Sequence, residues 1–151
     1  MHVALVEPEI HGNTGNAGRT CLATGAQLHL IEPLGFEISD ARVRRAGLDY
    51  WERVAPQVWP DWSTFESRIP GLGEPWFFSA EAEREIWDAE FAPDTVLVFG
   101  KESVGLAPAI REAHRDRLLR FPILDSGVRS LNLANCVALG CYEVLRQLRS
   151  H

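Results

Sequence analysis

Residues 95–106 read Thr-Val-Leu-Val-Phe-Gly-Lys-Glu-Ser-Val-Gly-Leu, and this stretch decides the fold class. Its first half, TVLVF (95–99), is an unbroken β-branched and apolar run stopped by Gly100. That pattern predicts a short strand buried on both faces, the kind found in parallel sheets with helices on either side. The second half is a polar loop, and residues 107–115 beyond it read as a helix. HVALV (2–6) repeats the strand pattern, followed by a Gly/Asn-rich turn over 11–16 and a helix over 16–24 closed by Gly25. Further strands are expected at 27–32, 53–58 and 76–79, with an edge strand at 118–123, where Pro122 lacks a donor. Helices are expected from a cap at Ser39 or Asp40 to about 46, over 62–68, and over 131–149, where apolar residues recur at helical spacing. Alternating strands and helices give an α/β fold: a mostly parallel sheet with helices on both faces.

Working outward, the 151 residues make one domain, 1–151, with no repeat or linker. No apolar run approaches a membrane span of about 20 residues. No basic region precedes the first strand, so no secretory signal is expected and the cytoplasm is the expected location. Cys21, Cys136 and Cys141 form no CxxC pair and read as small buried hydrophobes, without a metal site.

The net charge of −6 argues against a nucleic-acid partner, but its distribution softens that objection. Residues 81–94 alone carry −5, from six acids and Arg84. The cations are 14 Arg and one Lys, clustered at Arg42, Arg44, Arg45 and Arg53, and again at Arg111, Arg115, Arg117 and Arg120. Arginine suits bidentate phosphate contacts; a genome rich in G and C accounts for the scarcity of Lys about as well.

In parallel sheets ligands collect at the carboxyl ends of strands. Three polar loops follow strands here, at 11–19, 100–105 and 125–132, and they are expected to converge. In the first, Gly12-x-x-Gly15-x-x-Gly18, with Glu32 further on, invites a dinucleotide reading, although the fingerprint spacing is GxGxxG. The bland alternative is a tight turn. Asn13, Asn16 and Arg19 are spaced three apart there, with Asn13 able to cap the helix. In the second, Gly100 permits close backbone approach, and Glu102 either accepts from ribose or amine groups or caps the next helix. In the third, Ser130, Asn132 and Asn135 interrupt an apolar run, so they cap the last helix or hold a ligand. Trp51, Trp59 and Trp62 read as core residues before base-stacking ones.

Taken together, NTGNAGRT (13–20), IEPLGFEISDARVRRAGLDYWE (31–52), FGKESVGL (99–106) and RSLNLANCVALGCYEVLRQ (129–147) resemble the SPOUT-class RNA methyltransferases, specifically the small tRNA (cytidine/uridine-34)-2'-O-methyltransferases. The resemblance spans nearly the whole chain. It implies a C-terminal deep trefoil knot, which sequence rules alone would have voted against. It also implies S-adenosylmethionine as cofactor, a tRNA anticodon stem-loop as partner, and a homodimer with Tyr142 near its interface. By position, the cofactor site would comprise Phe78, Gly100, Phe121, Ile123, Ser130 and Leu131. Arg19, Asn13, Glu102, Ser130 and Asn132 would form the catalytic neighbourhood, with Arg19 as base or as an orienting charge. Arg42, Arg44, Arg45 and Arg129 would hold RNA phosphates. His11-Gly12, Phe78 and Lys101 depart from the family pattern. A dinucleotide-dependent oxidoreductase and a non-catalytic RNA-binding module are the competing readings.

Overall fold

A computed structural model describes residues 1–38 and 50–149. The short helix expected up to about 46, and Arg42, Arg44 and Arg45 with it, lie outside the described residues. The elements are β1 (His2–Val6), α1 (His11–Thr24), β2 (Gln27–Ile31), α2 (Trp51–Val54), β3 (Gln57–Trp59), α3 (Trp62–Glu66), α4 (Ile69–Leu72), β4 (Pro75–Phe78), β5 (Val96–Phe99), α5 (Pro108–Ala113), β6 (Leu118–Leu119) and α6 (Leu133–Arg149). The strands form one six-stranded sheet in the order β3-β2-β1-β5-β4-β6, and every pairing is parallel.

Alternation along the strands divides the core in two. Val3, Leu5, Leu28, Leu30, Leu97 and Phe99 face α1, α2 and α6, meeting Ala17, Cys21, Trp51, Val137, Cys141 and Val144. Ala4, Val6, Ile31, Phe77, Val96 and Val98 face the other way, onto Phe65, Ile69 and Ile110 of α3, α4 and α5. Helices therefore cover both faces, as the buried strands require. Trp51 is buried, and Trp59 and Trp62 pack against the second cluster, so all three serve the core.

Several local expectations are corrected. Residues 51–54 form a helical turn where a strand from 53 is expected: the apolar pair Trp51 and Val54, three apart, seats on α1, and the strand begins only at Gln57. The 62–68 helix splits into α3 and α4. The edge strand is confined to Leu118–Leu119. The helix starts at His11, five residues before the expected start, so the glycines of the first loop lie inside α1 and form no turn. Gly18 has a packing role instead: a Cβ there would meet Trp51 Cζ3 at 3.1 Å and Val54 Cγ1 at 3.2 Å.

β6 is held on both sides. Ser79 N–H donates to Leu119 O on the sheet side, while Arg120 N–H donates to Arg84 O and Ile86 N–H to Arg120 O on the other. The chain at 118–120 thus runs between β4 and residues 84–86 of the β4–β5 connection. From there it continues to α6, which packs on α1 and β5. No helix among the described residues is long and apolar enough to cross a membrane.

Candidate active site

The sheet order reverses between β1 and β5, and the loops leaving those two strands are clasped together. Lys101 Nζ donates to Glu7 Oε2 at 2.7 Å. Ser103 donates to the Glu9 carboxylate from its backbone N–H (2.8 Å) and its hydroxyl (2.9 Å). These bonds hold the Glu9 carboxyl below its usual range, the Ser103 hydroxyl contributing most, and the Glu7 carboxylate raises Lys101.

Glu102 answers in the opposite direction. Its carboxylate accepts from Glu9 N–H (2.7 Å), Ile10 N–H (3.1 Å) and Asn13 Nδ2 (3.1 Å). It therefore ties down the start of α1, where an anion meets orphan N–H groups and the positive end of the helix dipole. Glu102 is not a cap for the helix that follows it, and Asn13, the third residue of α1, is not a cap at all. Gly100 allows close approach, but by the chain itself: a Cβ there would lie 2.1 Å from Gly105 C and Leu106 N.

The third loop joins through Asn132, whose Nδ2 donates to Asn13 Oδ1 at 2.9 Å. Its own Oδ1 accepts from Ala134 N–H (2.9 Å) and Asn135 N–H (3.3 Å), so Asn132, and not Ser130, caps α6. A continuous chain, Glu102–Asn13–Asn132, thus links the three loops, across 89 and 119 residues of sequence at its two joints. Asn13 is buried; Ser130, Asn132 and Asn135 are exposed.

Above this chain, at the carboxyl ends of β4, β5 and β6, lies a cleft of about 520 Å³. All six residues expected at the cofactor site line it: Phe78, Gly100, Phe121, Ile123, Ser130 and Leu131. Its floor is a stack of rings, Phe78 lying 4.6 Å from Phe99 and 4.9 Å from Phe121. The cleft's cations are all paired: Lys101 with Glu7, Arg111 with Glu81, and Arg120 with Glu85. Arg117 pairs with Glu74 and lies over the Trp76 ring. Three arginines of the 111–120 cluster are thus engaged by acids at 74–85, so that cluster is no free basic patch. Sequence reasoning missed these partners, which lie 30 to 43 residues away.

Arg19 does not line the cleft. It lies in a neighbouring groove between α1 and α6 with Asn16, Thr20 and Asn135. Asn13 and Asn132 form the wall shared by the two spaces. The guanidinium of Arg19 lies over the Tyr50 ring, 5.4 Å from its centre. Arg129 is exposed in the loop before α6, and Glu32 is exposed and lines neither space. With the glycines inside α1, a dinucleotide site has no phosphate-cradling turn.

Comparison with known proteins points to one family. The chain is 45% identical over 149 residues to a tRNA (cytidine(34)-2'-O)-methyltransferase of Burkholderia pseudomallei, covering 97% of this chain and 95% of that one. It is 43% identical to the protein of the same name from Acidovorax sp., covering 97% and 91%. A solved structure described as giving structural insights into the 2-OH methylation of C/U34 on tRNA superposes with a TM-score of 0.93 at 40% identity, covering 99% of this chain and 97% of that one. The SpoU rRNA Methylase family model matches residues 1–142, and the chain belongs to that family.

Proposed function

We propose that this protein transfers a methyl group from S-adenosylmethionine to the ribose 2'-hydroxyl of the wobble nucleotide, position 34, of a tRNA, as a cytidine or a modified uridine. The observation that carries the reading is the Glu102–Asn13–Asn132 chain beneath a cleft lined by every expected cofactor residue. The relatives' names supply the substrate.

The cleft fits the cofactor. Its volume falls within the roughly 300–1,000 Å³ of small-molecule sites. Aromatic faces attract a cation, and with Lys101, Arg111 and Arg120 already paired no uncompensated positive charge in the lining opposes one. Phe78, Phe121, Ile123 and Leu131 would hold the apolar parts and exclude water, with Gly100 and Ser130 offering backbone groups. When bound, S-adenosylmethionine supplies a methyl group on a positively charged sulfur. A dry lining favours the loss of that charge, and fixed placement supplies much of the rate.

Asn13 and Asn132 separate cofactor cleft from groove, and Arg19 faces the groove, where the ribose would enter. A guanidinium stays protonated at neutral pH, so Arg19 would orient the hydroxyl and stabilise its developing negative charge, while the hydroxyl proton passes to solvent in the groove and the bond from sulfur to the methyl breaks to leave a neutral thioether. Arg42, Arg44, Arg45 and Arg129 would contact phosphates, giving an affinity that falls as salt rises.

The domain is read as a single unit, since α6 packs back on α1 and β5. The knot is read from the passage of 118–120 between β4 and residues 84–86. The homodimer is read from Leu139 and Tyr142 of α6, 45% and 56% exposed, apolar surface on the helix that borders the groove. A cytoplasmic location follows from a tRNA substrate.

The test is incubation with methyl-labelled S-adenosylmethionine and total tRNA, followed by mapping of the labelled nucleotide. Label on the ribose of nucleotide 34 is expected, and label elsewhere would overturn the substrate assignment. Arg19→Ala is expected to abolish transfer and leave cofactor binding intact.

A further inference from the structure

We infer that Tyr50 is a positioning residue for Arg19, holding the guanidinium by its ring face so that the N–H edge stays free for RNA. The inference rests on the role given to Arg19 above. Arg19 is exposed on α1, and among the described residues no carboxylate pairs with it; its one polar or ring contact there is Tyr50. A long side chain on a helix surface otherwise samples many rotamers, and ordering it costs free energy at the moment of reaction. A carboxylate would order it too, but by occupying the planar fork of donors with which arginine grips phosphate or hydroxyl oxygens. A ring face orders the plane of the guanidinium and leaves those donors available.

The ring is itself fixed. Tyr50 directly precedes Trp51 and Val54, the two buried residues of α2, and it packs partly buried against the same core cluster. α2 is seated on α1 at Gly18, where a Cβ would come within 3.1 Å of Trp51 and 3.2 Å of Val54. The small residue immediately before Arg19 thus lets α2 approach, and that approach brings Tyr50 beneath the guanidinium. Tyr50 lies within the stretch 31–52 that carries the family resemblance.

The test uses the full-length protein, S-adenosylmethionine and substrate tRNA, with Tyr50→Phe, Tyr50→Leu and Arg19→Ala compared. The phenylalanine variant keeps the ring face and is expected within about twofold of the parent. The leucine variant is expected to lose about tenfold in kcat, with KM for S-adenosylmethionine within about twofold and its melting temperature close to that of the phenylalanine variant. Unchanged kcat in the leucine variant would overturn the assignment. So would equal losses in the leucine and phenylalanine variants, because the ring face would then not be the operative feature. If Arg19→Ala remains active, the failure lies in the role of Arg19 and so in the proposed chemistry, an outcome separate from the other two.

Discussion

Glu102 carries one carboxylate and serves three donors, two of them backbone N–H groups at the start of a helix some ninety residues earlier in the chain. Removing it strands those donors at a partly covered loop junction. Glu102→Ala is therefore expected to cost roughly 1–2 kcal/mol in urea unfolding, and Glu102→Gln, which keeps an acceptor, less. His29 sets a second expectation. Trp59 Nε1–H can only donate, so His29 Nδ1 accepts it at 3.1 Å, and the ring proton sits on Nε2, facing His2 Nδ1 at 3.0 Å. Burial first, and His2 second, lower its pKa from 6.5 to about 4. The fold thus favours the neutral ring, so this stability is whole above pH 6.5 and drains as pH falls toward 4. The loss approaches about 3 kcal/mol. Unfolding measured at pH 7 and pH 4.5 should show that slope in the parent and a shallower one in His29→Gln. Neither contact was legible in the sequence, because each joins residues that only the sheet order makes neighbours. For Glu102 the residue type was legible, since a carboxylate in a loop at the carboxyl end of a strand must find donors somewhere, whereas His29 gave no such signal.

Among elements, the buried strands were the most readable, because TVLVF and HVALV admit no other environment. Short elements were less so. WERV carries apolar residues at a spacing that suits a turn of helix, and only the docking of Trp51 and Val54 on α1 decides the matter. The α1 start was missed because its first turn is fixed from outside by Glu102, with no side-chain cap of its own. The loop after β5 gives the element-scale prediction. Gly100 lies so close to Gly105 and Leu106 that any Cβ meets backbone, which cannot swing aside. Gly100→Ala is expected to displace residues 101–106 and break the Glu7–Lys101 and Glu9–Ser103 clasp. Calorimetric titration with S-adenosylmethionine should then show at least tenfold weaker binding, while Gly12→Ala, whose Cβ meets open space, binds as the parent does.

For the whole molecule, the parallel sheet brings three distant loops to one edge, and charge is sorted around it. The acidic segment that dominates the net charge neutralises Arg111 and Arg120 through Glu81 and Glu85, and Glu74, just before β4, neutralises Arg117. Among the described residues Arg19 and Arg129 take part in no ion pair, and they are two of the cations that the proposed function assigns to RNA, a division that composition could not reveal. The cofactor residues came from the family resemblance and not from periodicity, yet all six meet at one cleft. The measurement that bears most directly on this is a crystal structure of the protein with S-adenosylmethionine bound. The account predicts the cofactor against Phe78, Phe121 and Leu131, with its sulfonium methyl turned toward the Asn13–Asn132 wall and the Arg19 groove beyond. Density for the cofactor elsewhere on the molecule, or in this cleft with the methyl turned away from that wall, would contradict it.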